Sequence, residues 1–243
     1  MGGPEISLLL PTHQHPGLMK HLLNSLVRTT SDLNRLEIIL YLDDDDTESM
    51  RIESPGPELR LVKLIKRPDT MGNIMRACYD ASHGKYIMLL NDDMVFGTQG
   101  WDTRVLQAFA AFPDEIAMVY GNDLYYGDLM CTFPILTRTV CELMDGVCPA
   151  EYRWHCIDSH LLDLFKRLKL VGYARSIYLK NVLFEHMHHE LSAAINDDSD
   201  VKPASDTDDQ DIYFSLADRR QTIAQKMADH IRNCETKRNP SAI

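Results

Sequence analysis

The sequence lacks several patterns that would each identify a common class of protein. None of its six cysteines forms a C-x-x-C pair or lies at a ligand-like spacing from histidine, so neither a zinc site nor a disulfide framework is indicated. No apolar run reaches the roughly 18 residues of a membrane span, and the first, residues 6–10, is too short for a signal peptide. We therefore predict a soluble, cytoplasmic protein with reduced thiols.

An excess of positive charge is also missing. The formal net charge is −11, which makes a nucleic acid an unlikely partner. The densest basic stretch, residues 60–67, alternates with apolar residues and is typical of a strand with solvated side chains, although Lys66 or Arg67 could contact a phosphate. With 243 residues, 44% of them hydrophobic, the chain can bury a sizeable core.

The order of apolar patterns predicts the fold class. Short apolar runs at residues 6–10, 36–42, 59–65, 86–90 and 116–120 are typical of strands, and residues 18–26, 73–82 and 103–112 have the spacing of helices. Residues 134–165 are predicted to be mainly helical, and residues 176–185 to form a late strand. This alternation favours an α/β protein with a mixed, mostly parallel sheet flanked by helices.

Acids and amides follow three of the predicted strands. If these strands are parallel, the acidic groups meet at one edge of the sheet, where α/β proteins bind ligands. Adjacent carboxylates repel one another unless a cation joins them, and their hard oxygen atoms suit Mg²⁺ or Mn²⁺. An Asp-rich turn that caps a helix is the plainer alternative. The residues are Asp43 and Asp44, then Asn91, Asp92 and Asp93, then Asn122 and Asp123.

The late strand adds two histidines. His186 and His188 stand at alternate positions and hence on one face, so either could complete the coordination that Asp93 begins. Asp158 lies in a predicted helix, one turn after Trp154. Spacing alone favours a surface or capping role for Asp158.

Four segments together resemble the family-2, GT-A type glycosyltransferases, over roughly residues 5–190. I-S-L-L-L-P-T-H at residues 6–13 is similar to their first strand and Pro-Thr turn, and L-E-I-I-L-Y-L-D-D at 36–44 is similar to their second strand. Residues 81–93 resemble the segment that ends in the D-x-D motif, with Asn91 in place of the first Asp. Residues 185–188 resemble the segment with a late metal-binding histidine.

The resemblance implies a role for each matching residue. It makes Asp158 the catalytic base, and Asp93 and His186 the ligands of Mn²⁺ or Mg²⁺, with His188 as the alternative histidine. Beyond the resemblance, Asn122, Asp123 and Trp154 are candidate acceptor contacts. A core role is the alternative for Trp154 and the expected one for Trp101. The residues expected to bind the nucleotide sugar are Pro11, Thr12, His13, Asp43, Asp44, Arg67, Asn91 and Asp92.

The predicted activity is metal-dependent, inverting transfer of a sugar from a nucleoside-diphosphate sugar, a UDP-sugar being favoured, to an unidentified acceptor hydroxyl. A nucleotidyltransferase is an alternative, but residues 11–16 lack the glycine-rich, basic loop that such enzymes usually need. Another alternative is a catalytically silent relative that binds a nucleotide sugar or a partner protein, because Asn91 departs from the D-x-D motif.

We expect three regions along the chain. Residues 1–190 form the nucleotide-sugar-binding and catalytic domain, residues 191–210 an acidic mobile loop, and residues 211–243 a C-terminal helix and tail. The stretch 196–210 has few apolar residues to offset its ordering entropy. The resemblance implies a lid that closes over bound donor, and a spacer without a catalytic role is the alternative.

Overall fold

The computed structural model describes residues 3–187 and 206–238. His188 and residues 189–205 lie outside this range, and with them most of the predicted acidic loop. The strands are β1 (Ile6–Thr12), β2 (Leu36–Asp43), β3 (Arg60–Lys66), β4 (Tyr86–Leu89), β5 (Met94–Phe96), β6 (Met118–Asn122), β7 (Ile135–Thr137) and β8 (Ser176–His186). The helices are α1 (Pro16–Thr29), α2 (Met71–Asp80), α3 (Trp101–Phe109), α4 (Arg138–Met144), α5 (Ile157–Leu170), α6 (Asp206–Ser215) and α7 (Ala217–Arg238).

The described strands form one mixed sheet in the order β3-β2-β1-β4-β7-β6-β8-β5. β1 is parallel to β2 and β4, and β2 is parallel to β3. β4 and β6 are both antiparallel to β7, so they run in the same direction, and β8 is parallel to β6. The C-terminal ends of β1, β2, β4, β6 and β8 therefore lie at one edge of the sheet, which is where the predicted acidic groups are expected to meet.

Alternate residues of the central strands face opposite layers of helices. In β1, Leu9 packs in one apolar core with residues of α2, α4, α5 and α7, whereas Leu8 and Leu10 pack in a second core with α1 and α3. Ile39 and Ile38 of β2 divide in the same way. These strands are largely apolar because both of their faces are buried. The predicted α/β class, with a mostly parallel sheet between helices, is confirmed.

Two short strands were missed in the sequence. β7 lies within residues 134–165, so the prediction that this region is mainly helical is wrong there. β5 pairs antiparallel with the end of β8, and β7 separates β4 from β6. Each has only three residues, too few for an alternating pattern to be recognised.

The C-terminal region also differs from its prediction. α6 begins at Asp206, five residues before the predicted start of the closing helix, and the helical structure is interrupted at Leu216 before α7 begins. Acidic composition indicated a loop here, yet carboxylates near a helix N-terminus are stabilised by the helix dipole. Within the described ranges, no helix is both long and apolar enough to cross a membrane.

A close backbone contact joins α2 to the loop before α5. The N–H groups of Met71 and Gly72 donate to the carbonyls of Arg153 and Tyr152, each at 2.9 Å. A Cβ atom on Gly72 would lie 2.4 Å from the carbonyl oxygen of Pro149, closer than real contacts allow. Glycine is therefore required where this loop meets the start of α2.

We expect Gly72→Ala to lower the free energy of unfolding by about 1–3 kcal/mol, because the backbone of residues 149–150 must move to admit the methyl group. Urea unfolding monitored by circular dichroism measures the loss. Gly56→Ala is the matched control, since its Cβ would meet only the flexible end of Glu58, at 3.1 Å. Equal stability of the two variants would contradict the close approach.

Candidate active site

The ends of β1 and β2 place His13 beside two carboxylates. His13 Nδ1 lies 2.8 Å from Asp43 Oδ2 and 4.0 Å from Asp45 Oδ1. The ligand atoms of these three residues lie within 4.8 Å of one another, so they form one group that could hold a cation. Burial raises the pKa of Asp43; His13 opposes this effect, and the charges of Asp45 and Asp46 add to it. Asp44 is exposed next to this group.

Asp92 holds the turn between β1 and α1. Its Oδ2 accepts a hydrogen bond from Thr12 Oγ1 at 2.6 Å and lies 3.0 Å from His15 Nδ1. The hydrogen bond to Asp92 raises the pKa of His15 against the opposing effect of burial, and the charge of Asp93 adds to the increase. His15 was not singled out in the sequence, although its place just before the proline at the start of α1 marks it as a helix-terminal residue.

The other predicted nucleotide contacts lie at the same edge of the sheet. Pro11 is buried in β1, opposite Tyr41 of β2. Arg67 follows β3; its side chain is exposed, and its carbonyl accepts a hydrogen bond from Tyr41 Oη at 2.8 Å. Asn91 follows β4 and is exposed. The side chains of Arg67 and Asn91 are therefore accessible to a ligand.

Asp93 and His186 meet through the pairing of β5 with β8. Met94 lies opposite His186 in the ladder, and the N–H of Met187 donates to the Asp93 carbonyl at 2.9 Å. This register places His186 Nε2 3.0 Å from Asp93 Oδ2. The hydrogen bond to Asp93 raises the pKa of His186; burial opposes it, and the charges of Asp93, Asp123 and Asp158 add to it.

The Asp93–His186 pair fits a divalent cation. Asp93 Oδ1 is buried and has no hydrogen-bond partner among the described residues. A buried carboxylate oxygen without a partner costs free energy, which a bound cation would recover. Oxygen donors of this kind suit Mg²⁺ and Mn²⁺, and His186 would supply a nitrogen ligand beside them.

Asp123 has a different environment. Its Oδ1 accepts hydrogen bonds from the N–H groups of Tyr125, Tyr126 and Gly127 at 2.9–3.0 Å, and Oδ2 accepts from Thr132 Oγ1 at 2.6 Å. Burial raises its pKa, but these hydrogen bonds outweigh burial and leave the pKa below its ordinary value. Asp123 therefore shapes the loop after β6.

Asn122, which precedes Asp123, also stabilises this loop. Asn122 Oδ1 accepts a hydrogen bond from the N–H of Leu124 at 3.0 Å. The loop that the two residues organise exposes apolar side chains, and it begins beside His186, whose N–H donates to the Asp123 carbonyl at 3.3 Å. The exposed residues are Leu124, Tyr125, Tyr126 and Leu129.

Asp158 contrasts with Asp123. It lies in the first turn of α5, partly buried, and among the described residues its carboxylate makes no hydrogen bond. Burial raises its pKa to about 8, against the opposing effect of His186 and with a contribution from the charge of Asp123. A capping carboxylate would have bonded partners and a lowered pKa. Its raised pKa instead makes Asp158 a candidate for proton transfer.

The two tryptophans have opposite environments. Trp101 is fully buried in the core and donates from Nε1 to Thr30 Oγ1 at 3.1 Å, which confirms its predicted core role. Trp154 lies in the loop before α5 with 48% of its surface exposed. Its indole is available for contact with a ligand near Asp158.

Comparisons of the sequence with known families give no result. No protein-family model matches it, and no curated protein matches it.

Solved structures do resemble the chain. The crystal structure of S. aureus TarS superposes with a TM-score of 0.56 at 13% identity, covering 77% of this chain and 37% of TarS. This chain thus spans little more than a third of that TarS chain. TarS 1-349 in complex with UDP-GlcNAc has a TM-score of 0.61 at 13% identity, covering 93% of this chain and 72% of that one.

Two further structures resemble the chain to a similar degree. The mannosyltransferase PcManGT from Pyrobaculum calidifontis, in complex with GDP-Man and Mn²⁺, has a TM-score of 0.61 at 13% identity, covering 93% of this chain and 74% of that one. Glucosyl-3-phosphoglycerate synthase from Mycobacterium tuberculosis, in complex with Mg²⁺ and UDP, has a TM-score of 0.53 at 15% identity, covering 77% and 73%. At such identities the likeness shows the fold, and the predicted GT-A fold is confirmed.

Proposed function

We propose that this protein is a metal-dependent glycosyltransferase. It transfers a sugar from a nucleoside-diphosphate sugar, with a UDP-sugar favoured, to an acceptor hydroxyl, and it inverts the anomeric configuration. The observation that carries the proposal is the Asp93–His186 pair, in which Asp93 Oδ1 is buried without a hydrogen-bond partner among the described residues and His186 also interacts electrostatically with the Asp158 carboxylate. The solved structures of similar fold include complexes with UDP, UDP-GlcNAc and GDP-Man, which supports a donor of this class.

The donor would bind along the C-terminal ends of the strands. The groups at the ends of β1, β2 and β4 offer carboxylates and amides for the base and ribose, as the family resemblance implies. Asp93 and His186 would hold Mn²⁺ or Mg²⁺. The cation, when bound, would stabilise the negative charge that develops on the leaving nucleoside diphosphate.

The proposed reaction is a single displacement. Asp158 takes the proton of the acceptor hydroxyl, whose oxygen forms a bond to the anomeric carbon while the bond from that carbon to the diphosphate oxygen breaks. Attack from the face opposite the leaving group inverts the configuration. A carboxylate whose pKa lies near the working pH is well matched to this role. Trp154 would offer a flat face to the acceptor.

The alternative functions make different predictions. A silent relative would bind the nucleotide sugar without turning it over, and the exposed Asn91 in place of an acid leaves that alternative open. A nucleotidyltransferase would act on a nucleoside triphosphate, and the turn after β1 lacks the basic glycine-rich loop for one. The Asp158 carboxylate has a raised pKa and no hydrogen bond among the described residues, which favours the glycosyltransferase over both alternatives.

The test is a calorimetric titration of the protein with UDP and GDP, with and without Mn²⁺. We expect one of the two to bind at least about tenfold more tightly when Mn²⁺ is present, because the cation joins the diphosphate to Asp93. Release of nucleoside diphosphate from UDP-GlcNAc or GDP-mannose then separates an active enzyme from a silent relative. No binding of either diphosphate with Mn²⁺ would contradict the proposal.

A further inference from the structure

The carboxylate of Asp209, in α6, binds three consecutive backbone N–H groups of the loop that precedes α5. Oδ1 accepts from Arg153 at 2.8 Å, and Oδ2 accepts from Trp154 at 2.8 Å and from His155 at 2.6 Å. Asp209 is 3% exposed. This carboxylate therefore acts as a buried clamp on a loop more than 50 residues earlier in the chain.

The clamp is electrostatically favourable. Burial raises the pKa of Asp209, but the hydrogen bonds from His155, Arg153 and Trp154 outweigh burial and lower the pKa below its ordinary value. The carboxylate is therefore ionised at neutral pH. Hydrogen bonds from N–H groups to an ionised acceptor are about twice as strong as neutral ones. Loss of this acceptor would leave three backbone donors to find new partners.

The same loop is held from its other side. The carbonyls of Tyr152 and Arg153 accept hydrogen bonds from the start of α2. The loop is thus fixed between α2 and α6, with its carbonyls on one and its N–H groups on the other. Asp158 follows the last clamped residue, His155, by three positions and lies in the first turn of α5.

The attachment of α7 does not depend on Asp209. Arg220 of α7 is buried and donates from Nε to Asp163 of α5 at 2.6 Å. Ile223 and Met227 of α7 lie in the apolar core that α5 shares. Removal of the Asp209 carboxylate should therefore release the loop while α7 stays docked.

We infer that Asp209 is a positioning residue, which holds the loop of residues 153–155 so that Asp158 stands at the acceptor hydroxyl and Trp154 beside it. The inference rests on the proposed function, because it assigns Asp158 the role of base. A C-terminal helix would be expected only to anchor the chain. The inference gives α6 an indirect part in catalysis as well.

The test compares Asp209→Ala with Asp208→Ala. Asp208 is the matched control, since among the described residues its exposed carboxylate pairs with the Arg153 side chain, at 2.7 Å, and with no backbone N–H group. The first readout is acrylamide quenching of tryptophan fluorescence. Trp101 is fully buried, so quenching reports on Trp154. The second readout is kcat and donor KM for release of nucleoside diphosphate from UDP-GlcNAc or GDP-mannose with Mn²⁺.

We expect Asp209→Ala to alter Trp154 quenching and to lower kcat by about tenfold or more, since small displacements of a catalytic group are costly. Donor KM should stay within about twofold, because the donor contacts lie on other elements. Asp209→Asn, which keeps one acceptor oxygen, should recover part of the kcat. Asp208→Ala should match the wild type in both readouts.

Three results would overturn the inference: unchanged quenching, altered quenching with unchanged kcat, or equal losses in Asp209→Ala and Asp208→Ala. A wild-type protein that neither binds UDP or GDP with Mn²⁺ nor turns over either donor would instead contradict the proposed function. In that case the quenching comparison alone decides whether Asp209 holds the loop.

Discussion

Asp158→Asn should reduce release of nucleoside diphosphate from the donor by at least about a hundredfold, because the amide cannot take the proton of the attacking hydroxyl group or, when no acceptor is added, of water. The substitution keeps the shape of the side chain, so Mn²⁺-dependent binding of UDP or GDP should be unchanged. Steady-state kinetics with the donor that the wild type uses, together with calorimetry of diphosphate binding, measure the two effects. Asp128→Asn is the control, since Asp128 is an exposed carboxylate in the nearby loop.

The dependence of kcat on pH should show that the deprotonated form of Asp158 is the active one. A base works only when deprotonated, so wild-type kcat should rise with pH, and a cation bound at Asp93 and His186 should shift the rise below the metal-free pKa of about 8. The profile of Asp158→Asn should lose this rise. If the variant keeps most of its activity, Asp158 is structural, and the base must be sought elsewhere.

As pH rises, the contribution of Asp158 to the stability of the folded protein should fall while kcat rises. The pKa of Asp158 is about 8 in the folded protein and about 4 in an unfolded chain, so between these pH values the folded state binds more protons and the Asp158 contribution to stability falls as pH rises. Without metal, Asp158→Asn should therefore match or exceed the wild-type melting temperature at pH 8, with a difference that grows from pH 5 to pH 8. A less stable variant at pH 8 would contradict the environment described for Asp158.

Asp93→Ala should remove the Mn²⁺ dependence of UDP or GDP binding. Partners of metal ligands already contribute about 10- to 100-fold to metal affinity, so loss of the ligand itself should cost at least as much. The fold should survive, because Asp93 is only partly buried at the end of a strand. Calorimetry with and without Mn²⁺ measures the affinity, and circular dichroism checks the fold.

Three further variants test whether the cation binds at Asp93 and His186 or elsewhere. Asp45→Ala alters the other group that could hold a cation, His13, Asp43 and Asp45, and should leave the Mn²⁺ dependence intact. If Asp45→Ala removes it and Asp93→Ala does not, the cation binds between β1 and β2. His186→Ala should cause a smaller loss than Asp93→Ala, and a loss seen only in His188→Ala would identify His188 as the ligand instead.

Part of the site could be predicted from the sequence because strand ends and the acids that follow them are local features of the chain. A strand that is buried on both faces is mostly apolar, so the ends of β2, β4 and β6 could be recognised as the points where acids follow a run of apolar residues. Once the strands were taken as parallel, their acidic ends had to meet at one edge of the sheet. The strand directions confirm that reasoning, and the family resemblance added the order of the segments.

The sequence could not distinguish the roles of its acids. Asp123, Asp158 and Asp209 are all carboxylates near a strand end or helix start, and no local pattern separates them. Asp123 and Asp209 are bonded to backbone N–H groups and have lowered pKa values, whereas Asp158 has a raised pKa and no hydrogen bond among the described residues. The difference lies in which loops fold against each residue.

By itself, then, the sequence determined the α/β class, the sandwiched sheet and the edge at which the acids gather, since periodicity and strand ends depend on neighbouring residues. Tertiary structure alone decided the register of β5 against β8, which joins Asp93 to His186 across 93 residues. It also decided the clamp between Asp209 and the loop before Asp158. Contacts of this range follow from the packing of whole elements, and three-residue strands and single carboxylates leave no periodic trace in the chain.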